Sequence, residues 1–304
     1  NWPIAILGAA LPHALLAGNT VIVKPPLTAP LATTRVVQRI AEKLPPGVLN
    51  VVTGPDANMS ALIRNTDVAK VCFTGSVGGG KKMMELASAS LTRVTLELGG
   101  NDAAIFLKDA IIDDTHLDRL FGAIFDTTGQ ICMNAKRVYV HRSRMDELVK
   151  GLAARLEKTK LGYGLDPTTT MGPLHSPVQK KFVDELIAEA KASGAQVLEF
   201  GELPGGDMTG GNFVRPAIVV NPDHKLRVVT EEQFGPVIPI IPFDTEEEAI
   251  RMANGANRLD LRAPFGGMKL SGIGREQGIE GIRAFQDTRS ISHLDPATLA
   301  TMHH

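Results

Sequence analysis

The sequence predicts an α/β fold in which a parallel, doubly wound sheet is followed by a second α/β unit. Short runs of apolar and β-branched residues, typical of strands buried on both faces, alternate with segments of helical periodicity. Glycines and prolines separate these segments at spacings that fit right-handed βαβ crossovers. Ligands of such sheets bind beyond the carboxyl ends of the strands, so we expect the functional residues there.

The first hundred residues contain the predicted parallel strands and their helices. Strands are expected at 20–24 (TVIVK), 48–52 (VLNVV), 71–74 (VCFT) and 94–98 (VTLEL). Pro30 suits the first turn of a helix that the run Pro45-Pro46-Gly47 stops. Further short helices are expected at 57–65 and 81–90. The double glycine Gly99-Gly100 then marks a domain boundary.

The residues after this boundary predict the second α/β unit. Strands are expected at 102–107 and 137–141, and helices at 114–125, 145–158 and 178–192. A long loop rich in Gly, Pro and Thr is expected at 162–173. Strands and helices again alternate, which favours a sheet covered by helices.

Composition limits the classes of function. The 304 residues are 43% hydrophobic. Their net charge of -1 provides no excess of positive charge that would bind nucleic acid or an anionic membrane. The longest apolar stretch, 3–17, is shorter than the roughly 20 residues of a membrane span. The histidines lack the spacing of metal ligands, so we expect no metal site. The low cysteine count fits a reducing compartment and predicts a cytoplasmic protein with a small-molecule partner.

Two glycine-rich segments are candidates for phosphate binding. In the first, Gly75, Ser76 and Gly80 lie between the 71–74 strand and a helix, whose N-terminus offers free N–H groups to a diphosphate. On local sequence alone, a loop that binds nothing is an equally good interpretation. The second segment, 272–278, resembles a dinucleotide fingerprint but follows a loop and not a strand, so we interpret it as a turn.

The two cysteines lie in different contexts. Cys132 follows Gly129 at the junction of a helix and a strand, where a thiolate could be accessible to a substrate. Judged by local sequence, an inert buried thiol is the commoner case for such a residue. Cys72 lies within the apolar VCFT strand, so we predict a buried core thiol of low reactivity there.

Two charged residues interrupt or end apolar strands. Glu97 lies within VTLEL, where burial would raise the pKa of its carboxyl toward that of a general base. Lys24 ends TVIVK at the sheet edge where ligands of doubly wound sheets bind. Each residue is equally well interpreted as a solvated charge, on an outward face or at a strand end.

A series of motifs brings these candidates together. The chain contains, in this order, NWPIAI, GNTVIVKP, FTGSVGGG, LELGGN, GQICMNAKR, EEQFGPV and PFGGMKLSGIGRE. In sequence and order these segments resemble the aldehyde dehydrogenase superfamily, from Asn1 to about Thr288. The resemblance implies a Rossmann-type parallel-sheet cofactor domain at 1–99 and an α/β catalytic domain at 100–268. Residues 269–304 would return to the cofactor domain and form an oligomerisation tail.

The resemblance also implies an activity, the NAD(P)-dependent oxidation of an aldehyde to a carboxylic acid through a cysteine thioester. Cys132 would be the nucleophile, and Glu97 the general base that activates water. Asn1 and the backbone N–H of Cys132 would form the oxyanion hole. By family habit the enzyme would be a homo-oligomer.

The cofactor residues follow from the same resemblance. Those implied are Lys24 at the adenosine ribose, Gly75, Ser76 and Gly80 at the pyrophosphate, Leu98, and Glu232 and Phe234 at the nicotinamide ribose and ring. Many NAD-preferring members carry Glu three positions after the equivalent of Lys24, whereas this chain has Leu27. A 2′-phosphate is then not repelled, so either NAD or NADP is expected, with NAD favoured.

Two departures and two alternatives accompany the resemblance. The family has further residues before Asn1 and a strand–helix–strand segment between Asn257 and Arg258, so we expect residues to be missing at both places. A catalytically silent fragment is the alternative if nothing is missing. A coenzyme A-acylating relative is the other alternative, although the presence of Glu97 argues against it.

Overall fold

The computed structural model describes residues 1–254 and 265–287, and within them the chain forms two compact units. The first unit comprises residues 1–2, 61–254 and 265–274, and the second comprises 3–60 and 275–287. The helices are α1 (Pro3–Leu16), α2 (Pro30–Ala41), α3 (Met59–Ile63), α4 (Val77–Ser88), α5 (Asp114–Phe125), α6 (Met145–Leu156), α7 (Pro177–Ala192), α8 (Arg227–Thr230), α9 (Glu246–Ala253) and α10 (Gly278–Arg283). The strands are β1 (Val21–Val23), β2 (Leu49–Val51), β3 (Lys70–Thr74), β4 (Arg93–Glu97), β5 (Asp102–Phe106), β6 (Ala135–His141), β7 (Gln196–Glu199), β8 (Ala217–Val220), β9 (Val237–Phe243) and β10 (Gly272–Ile273).

The larger sheet of the first unit has the strand order β5-β6-β9-β8-β7. The first four strands in this order, β5, β6, β9 and β8, run parallel to one another. The edge strand β7 pairs antiparallel with β8. Strand β9 has the sequence VIPIIPF, a nearly continuous apolar run of the kind that helices cover on both faces. The strands that follow Gly100 therefore form one mostly parallel sheet.

Helices pack on this sheet from both sides because successive strand residues point to opposite faces. Val138 and Val140 of β6 belong to a core cluster with the apolar residues of α5 and α6. Tyr139, between them, belongs to a second cluster with the apolar residues of α7. Pro177 begins α7, and the Ser176 hydroxyl caps it. The sheet thus forms the middle layer of the unit.

The smaller sheet of the first unit has the strand order β10-β4-β3. Strand β3 runs parallel to β4, and β10 pairs antiparallel with it. Because β3 is an edge strand among the described residues, Cys72 is exposed, and the prediction of a buried core thiol is wrong. The predicted turn at 272–278 begins with the two-residue strand β10, and Gly272 and Gly274 have positive φ angles of 136° and 95°.

The second unit contains the parallel pair β1 and β2 with α2 between them in sequence. Val37 of α2 is fully buried in a core with Leu11, Val23 and Leu49. The parallel strands expected to form one sheet are therefore divided, two in each unit. Strand pairing depends on contacts distant in sequence, which local apolar runs do not specify. Among the described residues, no helix has the length and apolar composition that crossing a bilayer requires.

Candidate active site

Cys132 follows a strained turn just before β6. Thr127, Thr128 and Gly129 have φ angles of 55°, 59° and 72°, in the left-handed region that β-branched residues rarely adopt. A Cβ atom on Gly129 would lie 2.3 Å from the Gly235 carbonyl oxygen, so a larger residue does not fit. The turn therefore holds the segment before Cys132 closely against the loop that precedes β9.

The Cys132 thiol is half-buried, and this burial raises its pKa because it disfavours the thiolate. The carboxylates of Glu232 and Glu97 raise the same pKa further, whereas the Lys136 ammonium lowers it. Both carboxylates therefore lie within electrostatic range of the sulfur. The surroundings of the thiol as a whole thus oppose its ionisation, so a nucleophilic role requires a group that assists it.

Glu97 ends β4 and is 7% exposed. In the sheet register it lies between Thr74 of β3 and Gly272 of β10. Its backbone carbonyl oxygen accepts a 3.0 Å hydrogen bond from the Gly75 N–H. Glu97 thus influences Cys132 through its side chain and binds Gly75 through its backbone.

Glu232 lies against the double glycine that follows β4. A Cβ atom on Gly99 would lie 2.1 Å from Glu232 Oε2, and one on Gly100 would lie 2.3 Å from the Cys132 carbonyl oxygen. Burial raises the pKa of Glu232, while a hydrogen bond from the Gly100 N–H and the charge of Lys136 lower it. Within the described part of the chain, Glu232 Oε1 is buried and has no hydrogen-bond partner. A buried acceptor of this kind fits a ligand hydroxyl.

Lys136 lies in β6 and is 2% exposed. Its Nζ donates a 2.5 Å hydrogen bond to the Gly129 carbonyl oxygen. Burial lowers the pKa of Lys136 to about 8. The negative charges of Glu232, Cys132 and Asp102 act in the opposite direction, because they stabilise the ammonium form. Lys136 is therefore a cation inside a group of acidic side chains.

The glycine-rich segment 75–80, here called the glycine loop, runs from the end of β3 through the first turn of α4. The Ser76 hydroxyl caps α4 by accepting a 3.1 Å hydrogen bond from the Gly79 N–H. A Cβ atom on Gly80 would lie 2.6 Å from the Leu98 side chain, so helix and strand approach closely here. Gly75 and Ser76 are exposed, which leaves the first turn of α4 open to an anion.

The first residues of the chain lie beside the turn that leads to Cys132. Trp2 Nε1 donates a 3.1 Å hydrogen bond to Thr127 Oγ1. Asn1 precedes this contact and is exposed. The predicted catalytic residues Asn1, Glu97 and Cys132 therefore belong to the same unit, and the contacts above bring their segments to one region of it.

The remaining predicted cofactor residue, Lys24, belongs to the second unit. It follows β1 and forms an ion pair with Asp56. Leu27 and Arg35 line one groove of this unit, and both are exposed. The groove therefore offers apolar surface and a cation to a ligand.

Sequence reasoning did not single out Lys136, Asp102 or Gln233. Gln233 is fully buried, and its Nε2 donates hydrogen bonds of 3.1 Å to the Lys136 carbonyl oxygen and 2.5 Å to that of Val228. It thereby joins the loop before β9 to β6. The sequence contained a signal for Lys136, because two consecutive charges, Lys136 and Arg137, precede the apolar residues of that strand. Within residues 1–254 and 265–287, no group of side chains suits a metal ion.

Sequence comparisons identify the chain's relatives. A family model described as "Aldehyde dehydrogenase family" matches residues 1–258. A betaine aldehyde dehydrogenase of Cereibacter sphaeroides is 32% identical over 329 aligned positions, which cover 96% of this chain and 66% of that protein. The chain thus spans just under two thirds of that relative's length. Because 329 positions exceed 304 residues, the relative carries residues within the matched region that this chain lacks. The junction predicted for them, Asn257 and Arg258, lies outside the described residues.

Solved structures share the fold. A betaine aldehyde dehydrogenase of Staphylococcus aureus, in complex with NAD+ and with a modified cysteine, has a TM-score of 0.87 and 31% identity over 94% of this chain and 65% of its own. An NADP-dependent enzyme of E. coli has a TM-score of 0.85 and 33% identity over 93% of this chain and 66% of its own. These likenesses confirm the predicted α/β fold class with sheets that contain parallel strands.

Proposed function

The chain belongs to the aldehyde dehydrogenase family, and on that premise we propose that it oxidises an aldehyde to a carboxylic acid with NAD or NADP as cofactor. Cys132 is the nucleophile, Glu97 the general base, and Asn1 with the Cys132 backbone N–H the oxyanion hole. The observation that carries the proposal is a half-buried thiol, Cys132, whose ionisation is influenced by the charge of a buried carboxylate, Glu97, at the carboxyl end of β4.

The first step belongs to Cys132. Its thiolate attacks the aldehyde carbon and forms a thiohemiacetal, in which the former carbonyl oxygen carries negative charge. The amide of Asn1 and the Cys132 N–H donate to that oxygen, and each such donor contributes about 3 to 4 kcal/mol in comparable sites. The side chain of Trp2 anchors the segment that carries Asn1.

Glu97 acts in the second half of the reaction. Once the aldehyde carbon has lost its hydride, a thioester remains on Cys132. Glu97 removes a proton from water, the resulting hydroxide attacks the thioester, and the carboxylic acid and the free thiolate are released. Glu97 suits this task because it is a buried carboxylate at the end of β4 whose charge acts on Cys132.

The residues of the first unit fit a nicotinamide dinucleotide. When bound, this cofactor supplies the acceptor for the hydride. Glu232 Oε1, buried and without a partner among the described residues, would accept a hydrogen bond from a ribose hydroxyl. Phe234 lies two residues beyond and would contact the nicotinamide ring. Ser76 and the first turn of α4 would hold the pyrophosphate.

The second unit supports use of NADP as well as NAD. Lys24 would bind the adenosine ribose, and at Leu27 no carboxylate repels a 2′-phosphate. Arg35 lines the same groove as Leu27 and would pair with that phosphate. The domain boundaries at 1–99, 100–268 and 269–304, a cytoplasmic location and a homo-oligomeric state stay predictions.

The test is the rise in reduced-nicotinamide absorbance when the purified chain meets a panel of aldehydes with NAD and, separately, with NADP. The proposal predicts turnover with at least one cofactor and a free carboxylic acid as product. Coenzyme A should neither accelerate turnover nor appear in the product. A folded sample that binds dinucleotide but never reduces it would contradict the proposal.

A further inference from the structure

Arg137 is a buried charge that the proposed reaction does not use. It lies in β6 and is 9% exposed. Its Nε and Nη2 donate hydrogen bonds of 2.9 and 2.6 Å to the Asn101 carbonyl oxygen. Its Nη1 donates to the carbonyl oxygen of Met252 at 3.1 Å, and Nη2 donates to that of Ala253 at 3.3 Å. One planar guanidinium thus holds oxygens of two separate segments in fixed directions.

The end of α9 compensates for the burial of this charge. Backbone carbonyls in the last turn of a helix have no partner within the helix and form the negative end of its dipole, so a cation there is stabilising. Met252 and Ala253 are the last two residues of α9. Tyr139 Oη donates to the Met252 oxygen at 3.0 Å and accepts from Arg137 Nη1 at 3.1 Å. The guanidinium is therefore fixed by α9 on one side and binds Asn101 with the other.

An irregularity in the sheet brings Arg137 to this place. Asp102 of β5 pairs with Ala135 of β6. The next residue, Ala103, pairs with Arg137, so Lys136 is an extra residue in β6. Without the extra residue, Lys136 would pair with Ala103, and Arg137 would lie one residue further from the carbonyl oxygen that it binds twice. The shift of register thus keeps the guanidinium at the start of β5.

The residues just before β5 surround the Glu232 carboxylate. A Cβ atom on Gly99 would lie 2.1 Å from Glu232 Oε2, and the Gly100 N–H donates a hydrogen bond to the same carboxylate. Asn101 Nδ2 donates a 2.9 Å hydrogen bond to the carbonyl oxygen of Val229, three residues before Glu232. The double glycine and Asn101 therefore fix the carboxylate and the chain that carries it.

We propose that Arg137 is a positioning residue which, through Asn101 and the double glycine, holds the Glu232 carboxylate where it meets a ribose hydroxyl of the cofactor. The inference rests on the proposed role of Glu232 in binding the dinucleotide. It concerns the affinity for the cofactor and not the oxidation of an aldehyde. Arg137 acts through Glu232 and takes no part in bond making.

The test measures the Kd of the purified chain for NAD and for ADP by calorimetric titration. ADP lacks the nicotinamide riboside that Glu232 is proposed to contact, so it reports on the rest of the dinucleotide site. The variants are Arg137→Met, which removes the charge and all donors, and Arg137→Lys, which keeps the charge but lacks the planar fork. Arg142→Met is the matched control, because Arg142 directly follows β6 and is exposed.

We expect the Kd for NAD to rise about tenfold in Arg137→Met and about threefold in Arg137→Lys, because a hydrogen bond to a charged group is lost or weakened. The Kd for ADP should change by less than about twofold in both variants, and Arg142→Met should match the wild type. Equal rises for NAD and ADP would indicate a general loosening of the fold and would overturn the proposal. If the Met variant does not fold, the Lys variant decides.

A double-mutant cycle tests whether Arg137 acts through Glu232. Glu232→Gln removes the carboxylate, and Arg137→Lys is then added to it. If Arg137 only positions this carboxylate, the second substitution should change the Kd for NAD by less than about twofold. Independent contributions would instead raise the Kd of the double variant by the product of the two single changes, which would contradict the proposal.

The outcome is separable from that of the proposed function. A chain that oxidises no aldehyde, yet loses NAD affinity selectively in the Arg137 variants, would refute the activity and retain the role of Arg137. A chain that oxidises aldehydes while its Arg137 variants bind NAD like the wild type would do the reverse. A wild type that binds NAD no more tightly than ADP would also overturn the role of Arg137, because Glu232 would then add no affinity that depends on its position.

Discussion

Two regions that meet at the end of β4 are built in opposite ways. The reaction cluster, formed by Glu97, Asp102, Cys132, Lys136 and Glu232, is partly or fully buried, and charges in it shift the pKa values of their neighbours. The glycine loop 75–80 is largely exposed and presents backbone N–H groups at the start of α4. Bond-making chemistry needs charges removed from water, whereas anion binding needs accessible backbone. Substitutions in the cluster should therefore change turnover, and those outside it should change binding or stability.

The largest effect is expected from Cys132→Ala. Removing the nucleophile should lower turnover at least about 10³-fold, as losses of covalent catalytic residues do. Dinucleotide affinity should stay unchanged, because the glycine loop and Glu232 remain. Steady-state absorbance and a titration of bound dinucleotide separate the two quantities. Cys72→Ala, at the exposed cysteine, is the control and should keep full turnover. Retained turnover in Cys132→Ala would contradict the role of Cys132 as nucleophile.

Glu97→Gln should come next. The substitution keeps the size of the side chain but removes the base, so turnover should fall about 10² to 10⁴-fold. The first turnover should persist as a burst of reduced cofactor, because hydride loss precedes the step that Glu97 assists. Stopped-flow absorbance measures the burst and the slow phase in one experiment. If the burst disappeared together with turnover, Glu97 would be needed in an earlier step, and its assignment to water activation alone would be wrong.

A matched pair of glycine variants compares the stability contributed by the turn before Cys132 with that of the glycine loop. Gly129→Ala would bring a Cβ atom to 2.3 Å from the Gly235 carbonyl oxygen at a φ of 72°, which should destabilise the fold by about 2 to 4 kcal/mol. Gly78→Ala meets nothing closer than 4.0 Å and lies in α4, so the change should be less than about 1 kcal/mol and stabilising. Denaturant unfolding of both variants checks the difference. Equal stabilities would mean that the turn before Cys132 is not strained.

The smallest effect is expected in the second unit. Arg35→Ala should raise the Kd for NADP about three- to tenfold, as the loss of one exposed charge-assisted contact does, and leave the Kd for NAD unchanged. Arg39→Ala, on the same helix but ion-paired with Glu42, is the control. Calorimetric titration of the purified chain with each dinucleotide is the measurement. If the substitution raised the Kd for NAD and for NADP equally, Arg35 would not bind the 2′-phosphate.

Local patterns predicted most of the individual elements. Helix α5 has the predicted bounds because Asp113 caps it and its apolar face is regular. Helix α4 begins at Val77 and not at the predicted Lys81, because three glycines conceal a first turn that Ser76 supports. The exposure of Cys72 could not be predicted, since burial of a strand depends on which neighbours pair with it.

The candidate site was predicted by motif, and its electrostatics were not. Glu97, Cys132 and Glu232 stand in recognisable segments, so the resemblance assigned them roles. Lys136 stands in one of those segments too, yet nothing in the local sequence shows that its ammonium reaches Gly129 or lies near Asp102. Those contacts join residues from different strands and loops, and only the folded chain brings them together.

The central claim is that Cys132 forms the covalent intermediate. We would mix the Glu97→Gln variant with an aldehyde that the wild type oxidises and with its preferred cofactor, quench within the burst, and weigh the proteolytic peptides. The account predicts the acyl mass on the peptide that contains Cys132 and on no peptide that contains Cys72. An unmodified Cys132 peptide in a sample that has formed reduced cofactor would contradict it.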